Sequence, residues 1–274
     1  MIGHPRISVS GICTMGWDLD RTLAFWTAAG IDHVGVPFAK LEAAGGDAAV
    51  ARVAERVAER GLTVGNLIGP GSFRLDDRGS WPAQQDRFRW IVDAAAVLQA
   101  SCVVFTTGRA GGLTWEQAAD ALEDALDPVV AHAGDRRVAL ALEHTNSLRP
   151  DIGFVHRLRD AVDLARRLGI GVCMEINACW LERALDDTVA DGVDTFRLVQ
   201  VSDFVLGTVD TPNRAVPGDG DIPLARILGQ VLAAGYAGAF DLEIIGPRIE
   251  QEGYESAVHR SVDNVAAILD ELEA

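Results

Sequence analysis

The chain has 274 residues, 49% of them hydrophobic, which suffices for one large α/β core, and its glycine and proline content is too low for a disordered chain. Forty acidic against 24 basic residues give a formal charge of -16, and Lys40 is the single lysine. Such a surface repels phosphate backbones and anionic membranes, so nucleic acid and membrane are not expected partners.

Taken in chain order, short β-rich apolar runs alternate with longer helical patterns. "RISVSGIC" (6–13) is the first candidate strand, and it lacks the glycine-rich turns of dinucleotide and P-loop sites. "DLDRTLAFWTAAG" (18–30) follows with helical spacing. Then come the strand "HVGVPF" (33–38), the helix "DAAVARVAERVAERG" (47–61), the strand "LTVGNLIG" (62–69) and the helix "QQDRFRWIVDAAAVLQA" (84–100). The second half repeats the alternation with "SCVVFTTG" (101–108), "TWEQAADALEDALDPVVAHAG" (114–134), "RVALALEH" (137–144), "FVHRLRDAVDLARRLG" (154–169), "IGVCMEI" (170–176), "RLVQVSDF" (197–204), "LARILGQVLAAG" (224–235) and "GAFDLEII" (238–245). Several helical runs carry apolar residues at i, i+3, i+4 and i+7 and end in glycine, and a closing helix is expected from about Tyr254 to Leu272. Eight such alternations predict a single (β/α)8 TIM barrel spanning residues 1–274 as one domain.

Cys13, Cys102, Cys173 and Cys179 are far apart and form no CxxC pair, so they read as buried free thiols of a reducing compartment. The segment "MIGHPRISVSGIC" does not pair a basic stretch with an apolar one, and no apolar run reaches membrane-spanning length. The expected location is the cytoplasm.

The last four strands each carry a polar residue in the C-terminal half: Glu143, Glu175, Gln200 and Glu243. Glu175 stands out because its run, "IGVCMEINACW", otherwise avoids water, and a buried unpaired carboxylate costs several kcal/mol. In a parallel barrel the four share one rim, and three converging carboxylates raise one another's pKa unless a cation sits among them. An oxygen-only donor set favours a hard divalent ion, Mg²⁺ or Mn²⁺, over zinc. Two long loops, Pro70–Pro82 and Phe204–Pro223, follow strand ends on the same side.

With these residues placed, the chain resembles the sugar phosphate isomerase/epimerase family of xylose-isomerase-like TIM barrels. The resemblance rests on "ALEHTN", "LRDAVDLARRLGIGVCMEIN", "VQVSDF" and above all "NRAVPGDGDIPLARILGQVLAAGYAGAFDLEI". It implies metal ligation by Glu143, Glu175, Gln200 and Glu243, where the family usually presents Glu, Asp, His and Glu. Glu175 is thus one methylene longer than usual, and Gln200 replaces a histidine with a neutral donor, as in the dehydroshikimate dehydratases of the same superfamily. Ala178 stands where many relatives have a histidine, which argues against a second metal and against the three-metal endonuclease branch.

The implied chemistry is isomerisation or epimerisation of a sugar or related hydroxy-ketone. A metal chelates the substrate carbonyl and neighbouring hydroxyl, and Glu143 and Glu243 move protons through an enediolate. A metal-dependent dehydratase of a cyclic hydroxy-ketone, similar to dehydroshikimate or inosose dehydratases, is the alternative reading. A non-catalytic barrel serving as a binding subunit is a third.

For substrate contacts the sequence offers Arg214 ahead of "PGDG", His144, Asn146, Trp180, and Arg109 beside a glycine-rich turn. By strand alternation His144 points away from Glu143, towards a supporting role. Asn146 suits either the cleft or a turn. Asp203 is expected to orient a ligand or cap its loop. Trp17, Phe38 and Trp180 are read either as an apolar pocket wall or as helix packing. The expected partner is a small polyhydroxy carbonyl compound, and homo-oligomerisation is compatible with such barrels.

Overall fold

The computed structural model describes residues 4–273, so Met1–Gly3 and Ala274 of the expected domain span lie outside the described residues. Eight strands form a closed parallel barrel in sequence order: β1 (Ile7–Ser10), β2 (His33–Pro37), β3 (Thr63–Ile68), β4 (Cys102–Thr106), β5 (Ala139–Glu143), β6 (Gly171–Glu175), β7 (Phe196–Val201) and β8 (Phe240–Leu242). Outside it run α1 (Leu19–Ala29), α2 (Phe38–Ala43), α3 (Asp47–Arg60), α4 (Trp81–Leu98), α5 (Trp115–Arg136), α6 (Leu158–Leu168), α7 (Ile176–Cys179), α8 (Leu185–Gly192), α9 (Leu224–Ala233), α10 (Pro247–Glu252) and α11 (Tyr254–Glu271).

Local chemistry sets many of these boundaries. The Asp18 side chain accepts the Arg21 N–H to start α1, and Thr114 and Gln117 form a reciprocal capping box at the head of α5. As expected, α1 and α6 stop at glycines, Gly30 and Gly169, in the left-handed conformation. Two expectations are corrected. The sixth helix starts at Leu158 rather than Phe154, because residues 152–155 return to the barrel, where the Gly108 N–H donates to Ile152 O and the Thr145 N–H to Val155 O. The "GIC" of the first strand run leaves the sheet as a 3-10 turn over Gly11–Thr14. Helix α8 was not anticipated. It is eight residues long and opens at Ala184 in a left-handed conformation with no side-chain cap.

The main core lies between the strands and the helices, and a second, small cluster of Cys102, Val104, Ala141, Cys173 and Leu198 fills the barrel interior. All four cysteines are buried free thiols. Among the described residues no helix is long and apolar enough to cross a membrane.

Candidate active site

Strand alternation aims the predicted residues inward. Ala141, Cys173 and Leu198 belong to the inner cluster, so Glu143, Glu175 and Gln200, each two positions further along its strand, face the axis nearer the C-terminal mouth. Glu175 and Gln200 are register partners, as are Gln200 and Asp241, and Glu243 follows β8 immediately. The Glu243 N–H continues the ladder by donating to Val201 O at 3.1 Å.

Glu143, Glu175 and Glu243 each offer one oxygen, and these atoms all lie within 4.8 Å of one another. Glu175 is 2% exposed and Glu243 7%. Arg214, on the loop after β7, brings its Nη1 within 2.6 Å of Glu175 Oε2 and donates to Ser202 Oγ at 2.9 Å. The other Glu175 oxygen caps α7 by accepting the Asn177 N–H at 2.8 Å. An apolar strand therefore holds this carboxylate because a buried guanidinium and a helix cap share its charge.

The charges in this group perturb one another. Burial pushes the Glu143 carboxyl up to about 8, with repulsion from Glu175 adding to the shift and Arg214 opposing it. Burial likewise holds Glu243 well above the ordinary carboxylate range against the pull of Arg214, with Glu143 and Glu175 adding to the rise. For Arg214, burial opposes the charge, but Glu175 and Glu243 override it and hold the guanidinium above its usual pKa. Below Glu243, Asp241 accepts the Ser8 hydroxyl at 2.6 Å, and burial raises it to about 7.

With all three carboxyls ionised, one guanidinium would leave two negative charges unbalanced, and without a further cation the site keeps protons instead; Glu243 Oε2 is buried without a hydrogen-bond partner. This donor set fits a divalent cation. Gln200 is fully buried beside it, but its Oε1 accepts the Cys173 thiol at 3.2 Å and its Nε2 is unpartnered. The three carboxylates among the four expected ligands are thus grouped, and the Gln200 oxygen accepts the Cys173 thiol.

The loop carrying Arg214 is pinned by Asp203. One of its oxygens accepts the N–H groups of Phe204 and Ile222, at 2.8 and 3.1 Å, and the other accepts those of Gly218 and Gly220, at 2.8 and 3.0 Å. A Cβ on Gly220 would fall 2.3 Å from Asp203 Oδ1, so the "PGDG" turn requires glycine there. Backbone bonds in both directions between Asp203 and Ala215 then place Arg214.

The other sequence candidates lie elsewhere. His144 is wholly buried and its Nε2 accepts the Glu175 N–H at 3.2 Å; burial lowers its pKa to about 3. This corrects the expectation of a substrate contact, because a neutral ring closed from solvent supports Glu175 from behind. Asn146 forms a turn, accepting the Leu148 N–H at 2.9 Å. Arg109 is exposed and lies 3.9 Å from Asp76. Trp180 is half-buried against the main core. Trp17 packs edge-on against Phe25 and Tyr254, and Phe38 against Trp90, so both serve helix packing. Sequence reasoning missed Ser202, Asn177, Cys173 and Asp241; the period-two pattern of β6 to β8 contained the signal for the last two.

A family model described as the xylose isomerase-like TIM barrel matches residues 23–266. The chain belongs to this family. Among curated proteins none matches the sequence. Of solved structures, protein SMc04130 from Sinorhizobium meliloti 1021 superimposes with a TM-score of 0.88 at 23% identity, over 96% of this chain and 98% of that one. An IolI protein "with a binding zinc atom" gives 0.85 at 15% identity, over 97% and 98%. The 3-keto-D-glucoside 4-epimerase YcjR from E. coli gives 0.69 at 16% identity, over 92% and 97%. At these identities the likeness is one of fold.

Proposed function

We propose that the protein is a divalent-metal-dependent isomerase or epimerase of a sugar or related hydroxy-ketone. The observation that carries this reading is the convergence of Glu143, Glu175 and Glu243 within 4.8 Å at the barrel mouth. The zinc in the IolI protein and the epimerase name of YcjR are in keeping with it. Glu143, Glu175 and Glu243 would hold the ion, Mn²⁺ or Mg²⁺, with Gln200 as a neutral fourth donor once its amide rotates to release the oxygen from Cys173. When bound, the ion supplies Lewis-acid stabilisation of negative charge on the substrate's carbonyl oxygen.

The chain's own residues do the rest. Glu143 and Glu243 reach the site from strands on its two sides, so that one can remove an α-proton while the other returns a proton. Arg214 neutralises Glu175 and sits beside both, where it can bind an oxygen of the substrate. Returning the proton to the neighbouring carbon isomerises, and returning it to the opposite face epimerises. A dehydratase of a cyclic hydroxy-ketone is the second reading, favoured by the neutral amide of Gln200 beside the carboxylates. The expected partner is a small polyhydroxy carbonyl compound, and a cytoplasmic location accords with the free thiols.

The test is a ketose and cyclic hydroxy-ketone panel in D₂O, run on chelator-treated protein with and without Mn²⁺ or Mg²⁺. Metal-dependent deuterium uptake at an α-carbon supports the isomerase reading, and a conjugated ultraviolet-absorbing product favours the dehydratase. Glu243→Gln should cut the rate by about 10³-fold, within the usual span for loss of a general base. A protein whose thermal stability is unchanged by chelation and by added metal would overturn the proposal, leaving the non-catalytic barrel.

A further inference from the structure

Glu243 lies just beyond the end of β8, where the barrel has lost one of its two ladders. Along this strand the peptide groups alternate in direction: the Phe240 N–H donates to Arg6 O ahead of β1, whereas the Glu243 N–H donates to Val201 O in β7. The carbonyl of Leu242 and the N–H of Ile244 therefore both face β1. But Leu242 is the last β8 residue in register with β1, opposite Val9, and beyond it β1 ends at Ser10 and the chain turns into the Gly11–Thr14 helix, so no β1 residue continues the pairing to the Ile244 N–H.

The Cys13 side chain fills that gap. Its thiol donates to Leu242 O at 3.0 Å, and its sulfur accepts the Ile244 N–H at 3.4 Å. The side chain is wholly buried, and burial holds the thiol far above its ordinary pKa, so it keeps the proton it donates. One sulfur thus extends the β1 side of the ladder by one step, accepting the N–H that has no strand partner and donating to the carbonyl before it, on the two sides of a single residue. That residue is Glu243.

We propose that Cys13 is a positioning residue for Glu243, its sulfur taking the place of the missing β1 acceptor for the Ile244 N–H while its thiol adds a donor to the Leu242 carbonyl, so that it ties down the peptide groups on both sides of this carboxylate. The proposal rests on the reading of Glu243 as a ligand and proton carrier. A plain apolar side chain of similar size can make neither of these bonds. The same rim uses His144 in a comparable way, its Nε2 holding the Glu175 N–H. Supports of this kind behind metal ligands commonly carry about 10–100-fold in metal affinity.

The test titrates chelator-treated full-length protein with Mn²⁺ by calorimetry, in the wild type, Cys13→Val and Cys13→Ser. Cys13→Val keeps an apolar packing group and removes both hydrogen bonds, so its Mn²⁺ affinity should fall about tenfold. Cys13→Ser keeps a donor and an acceptor and should stay within about threefold of wild type, a rescue that packing alone would not produce. Wild-type affinity in Cys13→Val, or a loss in Cys13→Ser as large as in Cys13→Val, would overturn the assignment while leaving the metal reading intact. A wild type that binds no Mn²⁺ overturns the metal reading and this role with it. Amide hydrogen exchange in the wild type gives a reading independent of any variant's folding: an Ile244 N–H protected like that of Leu242 supports the bridge, and open-loop exchange refutes it.

Discussion

Each half of the barrel mouth holds a cation largely out of solvent, and the two meet opposite surroundings. In the β1–β4 half, Lys40 on α2 donates to Thr14 O at 2.8 Å, to Thr22 Oγ1 at 3.1 Å and to Trp17 O, all neutral oxygens. Burial there lowers its pKa to about 8, with only Asp18 pushing back. In the β5–β8 half, Arg214 faces three carboxylates and its charge is reinforced. Similar burial thus gives contrary results, because neutral acceptors only solvate a cation whereas carboxylates balance it. Lys40 ties the loop after β1 to α2. Arg214 ties the loop after β7 to Glu175 and Ser202.

The sharpest way to break this comparison is to remove Arg214. Arg214→Met leaves the buried Glu175 without its partner, and metal-free protein should lose about 3–5 kcal/mol in urea unfolding. Saturating Mn²⁺ should return much of that loss. An equal deficit with and without metal would mean that the carboxylates do not share one cation site.

The two halves should also differ in pH dependence. Glu143 ionises near its ordinary value when unfolded but holds its proton to about pH 8 when folded. The folded state therefore binds more protons across that window, and metal-free stability should fall as pH rises from about 4.5 to about 8. For Lys40 the sign reverses: the unfolded chain stays protonated to about 10.5 while the folded chain releases its proton near 8, so its own contribution rises with pH between those values, against the fall contributed by the four buried thiols, and is read as the difference between wild type and Lys40→Met. Unfolding followed at fixed ionic strength checks both slopes. Mn²⁺ should flatten the first only, and Lys40→Met the second only. The smallest effect is expected for Lys40→Met itself at neutral pH: it removes a poorly solvated ammonium but strands the Trp17 carbonyl, whereas Thr14 O keeps the Trp17 N–H, for a net loss of about 1–2 kcal/mol in the same assay.

Much of the site was readable in the chain because strand periodicity is a local property. Ala141–Glu143, Cys173–Glu175 and Leu198–Gln200 each repeat one face at a spacing of two, and the common order of the strands puts their ends on one rim. Arg214 was noted from its place before "PGDG", yet its pairing with Glu175 was not, since 39 positions of chain separate them and only the Asp203 anchor brings the loop back. His144 was correctly expected to point away from Glu143, but the neighbour it supports lies on the next strand. Cys13 read only as a buried thiol, because its partners Leu242 and Ile244 lie at the other end of the chain.

The sequence by itself determined the alternation of strands and helices, the inward direction of the glutamates and the glycine-dependent turn after β7, since each follows from backbone geometry over a few residues. The tertiary structure alone decided which charges meet: that Glu175 faces Arg214, that Gln200 turns to Cys173, and that Cys13 closes the gap beside Glu243. Barrel closure joins β1 to β8, and side-chain contacts across that seam depend on where each strand stops, which the spacing of residues along one chain does not encode.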